Sequence, residues 1–257
     1  MRLDQYLVER GYYPSRERAR RAVMAGEVRV VRNGRVLKPG EEVGDSGFHI
    51  LKYEKPLYVS RGGEKLANAL DEWGLEVDGA RVLDIGSSTG GFTDCLLQRG
   101  ALRVTALDVG EGQLHWKLRN DRRVTVMERV NARYLRVDML PYRPDLVCID
   151  VSFISVRLIF QALMEAVDEG CRVIALVKPQ FEAGRGQVGR KGVIRDNRVH
   201  LQVLVKTRQT LEEMGFFLHR VTEAIPRGRQ GNREFMTLWV KGVRPPCEPD
   251  LEAVCAG

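Results

Sequence analysis

No stretch of this sequence approaches the roughly 18 consecutive apolar residues of a membrane-spanning helix, so no such helix is expected. The opening Met1-Arg2-Leu3-Asp4-Gln5-Tyr6 sets a carboxylate where a secretory signal has its apolar centre. The five cysteines, Cys95, Cys148, Cys171, Cys247 and Cys255, contain no C-x-x-C pair, which suggests neither a zinc ribbon nor a disulfide framework. His49, His115, His200 and His219 are too scattered to suggest a metal site, and none is expected. Internal repeats, heptad runs and low-complexity tracts are also missing. A soluble protein of a reducing cytoplasm is the expectation.

What the chain does have is core-forming material and positive charge. Its 257 residues, 44% of them hydrophobic, suffice for one large domain or a large one with a small companion. Lys and Arg number 41 against 34 Asp and Glu, a net +7 that attracts polyanions such as nucleic acid. The excess is concentrated: residues 1 to 38 hold ten basic and four acidic side chains.

In that segment Leu3, Leu7 and Val8 form a helical stripe ended by Gly11, and Ser15 is placed to cap a second helix ended by Gly26. Ala19, Ala22 and Val23 share the inner face of the second helix, which turns Arg16, Arg18, Arg20 and Arg21 outward. Strands over Val28–Val31 and Arg35–Val43, around a turn at Asn33-Gly34, complete a small α+β module over residues 1–55. A linker is expected over 56–62, a larger domain over 63–243 and a partly mobile tail over 244–257.

Across the larger domain, β-rich runs alternate with helical stretches: Arg81–Ile85, Arg103–Val109, Val124–Met127, Leu146–Val151 and Val173–Val177. The alternation predicts an α/β fold, a doubly wound and mostly parallel Rossmann-like sheet. Phe216–Ile225 and Phe235–Val240 are expected to pair with each other, giving one antiparallel edge strand.

The run DIGSSTGGF from Asp84 ends the first of these strands, where an open parallel sheet has its ligand crevice. Gly86, Gly90 and Gly91 match neither G-x-G-x-x-G nor a P-loop, which disfavours a dinucleotide or ATP. Asp84 would repel a pyrophosphate but suits the ammonium of an amino-acid moiety, such as that of S-adenosylmethionine. Asp108, at the end of the next strand, suits a ribose. The bland alternative is that Asp84 and Asp108 merely cap helices and the glycines only make a turn. Asp150 and Lys178 end two further strands, which brings four charged groups to one rim of the sheet.

Arg2-Leu3-Asp4, Ser15-Arg16 with Ala19, and Gly26 with Val28 and Val30 resemble an S4-type RNA-binding domain. YVSRGGEKL from Tyr58, DIGSSTGGFTD from Asp84, DVGEGQLHWKLRND from Asp108, NAR from Asn131, DVSFIS from Asp150, LVKPQFEAGRGQVGRKGV from Leu176 and NREF from Asn232 resemble the hemolysin A (TlyA) type of ribosomal RNA methyltransferase. The family is similar to the FtsJ-like ribose 2′-O-methyltransferases and their Lys-Asp-Lys-Glu tetrad, which the resemblance places on Lys65, Asp150, Lys178 and Glu234. One departure is Tyr58 before Val59, where the family is expected to have Trp-Val.

The resemblance implies methyl transfer from S-adenosylmethionine to a ribose 2′-hydroxyl, with cytidine in ribosomal RNA or a ribosomal subunit as the target. Lys178 is the expected base, Asp150 and Glu234 the orienting carboxylates and Lys65 the ribose-positioning group. The expected cofactor residues are Asp84, Gly86, Ser88, Gly90, Gly91, Asp108, Asn131 and Asp150. The expected RNA contacts are Arg2, Arg16, Arg18, Arg20, Arg21, Arg61, Arg185, Lys191 and Arg229, with Phe153 either stacking on an unstacked base or sitting in the core. The rival readings are a noncatalytic RNA-binding assembly factor and a membrane-active hemolysin.

Overall fold

The computed structural model describes residues 1–33, 35–44, 48–53, 56–184, 186–189, 192–228 and 231–256, with the side chains of 51–53 outside that description. The chain divides into two compact units, Met1–Leu57 and Tyr58–Gly257.

The first unit contains α1 (Leu3–Glu9), α2 (Arg16–Ala25), β1 (Val28–Arg32), β2 (Arg35–Val36) and β3 (Phe48–Tyr53). Ser15 caps α2 by accepting from the Arg18 amide at 3.3 Å, and Gly26 ends it at φ +77°, a left-handed turn that glycine adopts without penalty. Leu3, Leu7, Ala19, Ala22, Val28 and Val30 form its core. The strand expected over 35–43 shrinks to Arg35–Val36, and Gly34 of its turn lies outside the described residues. The other edge of β1 is taken by β3, antiparallel with Val30 opposite Ile50, so this small sheet runs β2-β1-β3.

The second unit begins with α3 (Arg61–Trp73), so the expected 56–62 linker is already partly helical. It continues through β4 (Arg81–Ile85), α4 (Gly91–Gln98), β5 (Arg103–Leu107), α5 (Trp116–Arg119), β6 (Val124–Met127), β7 (Leu146–Ile149) and α6 (Val156–Ala166). Then come β8 (Arg172–Val177), α7 (Pro179–Glu182), α8 (Asn197–Glu213), β9 (Phe216–Glu223), β10 (Phe235–Lys241) and α9 (Leu251–Ala256). The seven-stranded sheet has the order β6-β5-β4-β7-β8-β10-β9. β6 to β8 are mutually parallel, while β10 is antiparallel to both of its neighbours. The antiparallel strand therefore lies one position in from the edge, which corrects the expected edge placement; the edge strand β9 runs with the parallel set.

Strand residues alternate between two cores. Val82, Val104, Leu146 and Ile174 face Leu66, Leu70 and Leu96, whereas Leu83, Val147, Ile149 and Val173 face Ile159, Phe160 and Leu163. Burying each such side chain contributes about 1.5–3 kcal/mol, so both faces of the sheet are strongly specified. The chain moves outward from β4 in opposite directions, to β5 on one side and β7 on the other, and the carboxyl ends of these strands frame the crevice.

The expected mobile tail is instead partly ordered. Leu251 and Cys255 of α9 are buried in the core, and Arg233 donates to the carbonyls of Val254 at 3.0 Å and Cys255 at 2.8 Å. Among the described residues no helix is long and apolar enough to cross a membrane.

Candidate active site

The loop after β4 is shaped by close backbone approach. Gly86 has φ +81°, and a Cβ there would lie 2.5 Å from the Asp150 carbonyl oxygen at the end of β7. Only glycine lets these two strand ends meet. Gly86→Ala is expected to destabilise the fold by roughly 2–4 kcal/mol through combined strain and overlap. Thermal unfolding checks this, and an unchanged midpoint would contradict it.

Asp84 is fully buried, and its Oδ2 accepts from the Thr93 amide at 3.0 Å and the Thr93 hydroxyl at 2.6 Å. Its Oδ1 has no partner. Burial pushes this carboxyl up to about 7, against the pull of the Thr93 hydrogen bonds and with added repulsion from Asp150 and Asp108. Asp108, one residue past β5, accepts from the amides of Ser88 at 2.8 Å and Gly110 at 2.7 Å. Asp84 thus caps the first turn of α4, as the bland reading has it, yet keeps one acceptor in reserve, whereas Asp108 braces two loops and caps no helix. Asn131 caps the short 3-10 turn Ala132–Tyr134 through the Arg133 amide at 3.1 Å and also lines a cleft.

Two adjoining clefts open here. One, about 410 Å³, is lined by Arg61, Lys65, Asp84, Gly91, Lys178, Gln180, Phe181 and Glu234 among others. The second, about 530 Å³, is lined by Leu107, Asp108, Gln113, Val130, Asn131 and Ile159 among others. They share Gly86, Ser88, Asp150, Ser152 and Phe153. Gly90 lies at φ +93°, packed under Leu114 and Leu118.

Lys65, Asp150, Lys178 and Glu234 come together in the first cleft as two ion pairs. Lys178 Nζ lies 2.6 Å from Asp150 Oδ1 and donates to Ser152 Oγ at 2.9 Å. Lys65, from α3, donates to Glu234 Oε2, and both are buried. Glu234 stands just before β10, and Gly228 leaves room for it: a Cβ at 228 would come within 2.2 Å of Glu234 Oε1.

Phe153 is 90% exposed, which removes the core reading. Its backbone is left-handed at φ +64°, a costly conformation for an aromatic residue, and its ring centroid lies 4.9 Å from that of Phe181. Glu182 ties this loop to α7 by accepting from the Ser155 hydroxyl at 2.6 Å and the Val156 amide at 2.7 Å.

Of the expected RNA contacts, Arg61 is exposed at the start of α3 on the rim of the first cleft. In the first unit Arg2 and Arg16 pair with Asp4, Arg18 with Glu27 and Arg21 with Glu17, while Arg20 is exposed. Arg185, Lys191 and Arg229 lie outside the described residues. Sequence reasoning missed Ser152 and Gln180, each two residues beyond a charged strand-end residue, and the Thr93 partner of Asp84. Among the described residues no cluster of three or more His, Cys, Asp or Glu could hold a metal ion.

Residues 58–241 match the FtsJ-like methyltransferase family, and residues 1–47 match the S4 domain. The chain is 42% identical over 242 residues to the 16S/23S rRNA (cytidine-2'-O)-methyltransferase TlyA of Mycobacterium tuberculosis strain H37Rv, covering 93% of this chain and 89% of the relative. It is 40% identical over 242 residues to Hemolysin A of Brachyspira hyodysenteriae, covering 93% of this chain and 100% of that one. A solved hemolysin candidate from Streptococcus thermophilus superposes with a TM-score of 0.79 at 42% identity, covering 100% of this chain and 94% of that one. The paired lysines and carboxylates thus sit in a chain that belongs to the FtsJ-like methyltransferase family, preceded by an S4 domain.

Proposed function

We propose that this chain transfers a methyl group from S-adenosylmethionine to a ribose 2′-hydroxyl of ribosomal RNA, with cytidine as the target nucleoside. The observation that carries the reading is the pair of lysine–carboxylate contacts, Lys65 with Glu234 and Lys178 with Asp150, in one cleft that opens into a second beside Asp108.

The residues fit the cofactor. Asp84 Oδ1 is a buried acceptor without a partner, suited to an ammonium, and Gly86, Ser88, Gly90 and Gly91 form the turn beside it. Asp108 would hold the ribose and Asn131 would lie on the adenosine side. When bound, the cofactor supplies a methyl group on a positively charged sulfur.

The chain must then place the nucleophile and remove its proton, because a 2′-hydroxyl is a very weak acid. Lys178 Nζ, when uncharged, accepts that proton, with Asp150 and Ser152 fixing its position. Lys65, held by Glu234, positions the ribose. Phe153 offers its exposed face to a base drawn out of its helix.

Incubation with ribosomal RNA and cofactor carrying a labelled methyl group tests the proposal. Label is expected in RNA; its absence, with RNA binding intact, would favour a noncatalytic assembly factor. RNA affinity is expected to fall steeply with salt, and Arg20→Ala to reduce the logarithmic salt slope by about one. A flat salt response would contradict phosphate recognition.

A further inference from the structure

Gln180 stands one residue after Pro179 in the short helix that follows Lys178, and it lines the same cleft as both ion pairs. Its Nε2 donates to Glu234 Oε1 at 3.0 Å, while Glu234 Oε2 receives Lys65. A carboxylate only accepts, so Glu234 fixes which way the amide faces and leaves Gln180 Oε1 as a buried acceptor with no partner. Glu234 is itself 4% exposed. Removing either donor would leave one of its oxygens buried and unmet.

We propose that Gln180 is a positioning residue for methyl transfer, acting through Glu234 to hold Lys65 and so tying the two ion pairs into one unit. The inference rests on the tetrad reading above. Lys178 and Gln180 are two residues apart on one rigid turn, so a hydrogen bond from that turn to Glu234 sets the spacing between the lysines. Without it, the Lys65–Glu234 pair keeps its charge attraction but loses the contact that registers it against Lys178.

The test is a double-mutant cycle of Gln180→Met, Glu234→Ala and both together, read as single-turnover methyl transfer, KM for RNA and thermal midpoint. Gln180→Met is expected to slow kcat on the order of 10- to 100-fold, the worth of a hydrogen bond to a charged group, with KM little changed and the midpoint lowered by several degrees, as an unmet buried carboxylate oxygen requires. In the Glu234→Ala background the same substitution is expected to add nothing, because its partner is already gone. Gln180→Asn, with a shorter reach, is expected to restore only part of the rate. Multiplicative effects, or a wild-type rate for Gln180→Met beside a slow Glu234→Ala, would overturn the proposal and leave the tetrad standing. A wild-type rate for Glu234→Ala would overturn the tetrad reading and this inference with it.

Discussion

Lys178→Ala and Lys178→Arg are both expected to lose methyl transfer by about 10²- to 10⁴-fold, the usual contribution of a positioned proton acceptor. The arginine variant is the more informative of the two. Its guanidinium can still pair with Asp150 but cannot give up its proton, so the charge is kept and the base is removed. Cofactor and RNA affinity should change little, because the arginine keeps the positive charge beside Asp150. Single-turnover assays at saturating cofactor and RNA check this. Wild-type turnover by Lys178→Arg would remove Lys178 as the base.

Asp84 carries the second large effect. In the free folded protein burial holds its proton up to about pH 7, whereas in the unfolded chain it is lost near an ordinary carboxylate value of about 4. A raised acid stabilises the fold at low pH: the contribution is fully present below about pH 4 and is lost as pH rises through about 7. Asp84→Asn removes that penalty, so at pH 8 the free variant is expected to unfold at the same temperature as wild type or higher. Cofactor binding should run the other way. An ammonium at Oδ1 favours the ionised carboxylate, so affinity is expected to rise about fivefold between pH 6 and 7, with a proton released on binding. In Asp84→Asn the affinity should drop on the order of 10- to 100-fold and its pH dependence should flatten. Calorimetry in buffers of different ionisation heat measures the proton directly. A pH-independent affinity with no proton release would contradict the assignment.

These two residues also show how unevenly the site could be read from the chain. Asp84, Asp108, Asp150 and Lys178 are visible because each ends a β-rich run, and a parallel sheet brings such ends to one rim. The strands stop a residue before Asp108, Asp150 and Lys178, which leaves those side chains in the crevice. Lys65 and Glu234 carry no such signal. Lys65 lies on a helix and Glu234 just before β10, and they meet only because β10 inserts beside β8 with Phe235 opposite Val177. That register is a long-range fact; only the family resemblance supplied both residues.

Other misses have local causes. β3 was obscured by the charged residues that follow it, although Phe48 and Ile50 already alternate in the strand manner. The tail helix had a signal, since Leu251, Val254 and Cys255 fall at i, i+3 and i+4. The exposure of Phe153 depends on a left-handed residue that no propensity anticipates, held where the loop is tied to Glu182.

Methyl transfer as proposed requires Lys178 and a cofactor methyl group to meet at one ribose oxygen. The most direct measurement is to label ribosomal RNA with the purified protein and methyl-labelled cofactor, digest it to nucleosides and identify the labelled product. The expected product is 2′-O-methylcytidine, with its label cut by about 10²- to 10⁴-fold when Lys178→Ala replaces the wild type. Label on a base carbon or nitrogen, or equal labelling by Lys178→Ala, would contradict it.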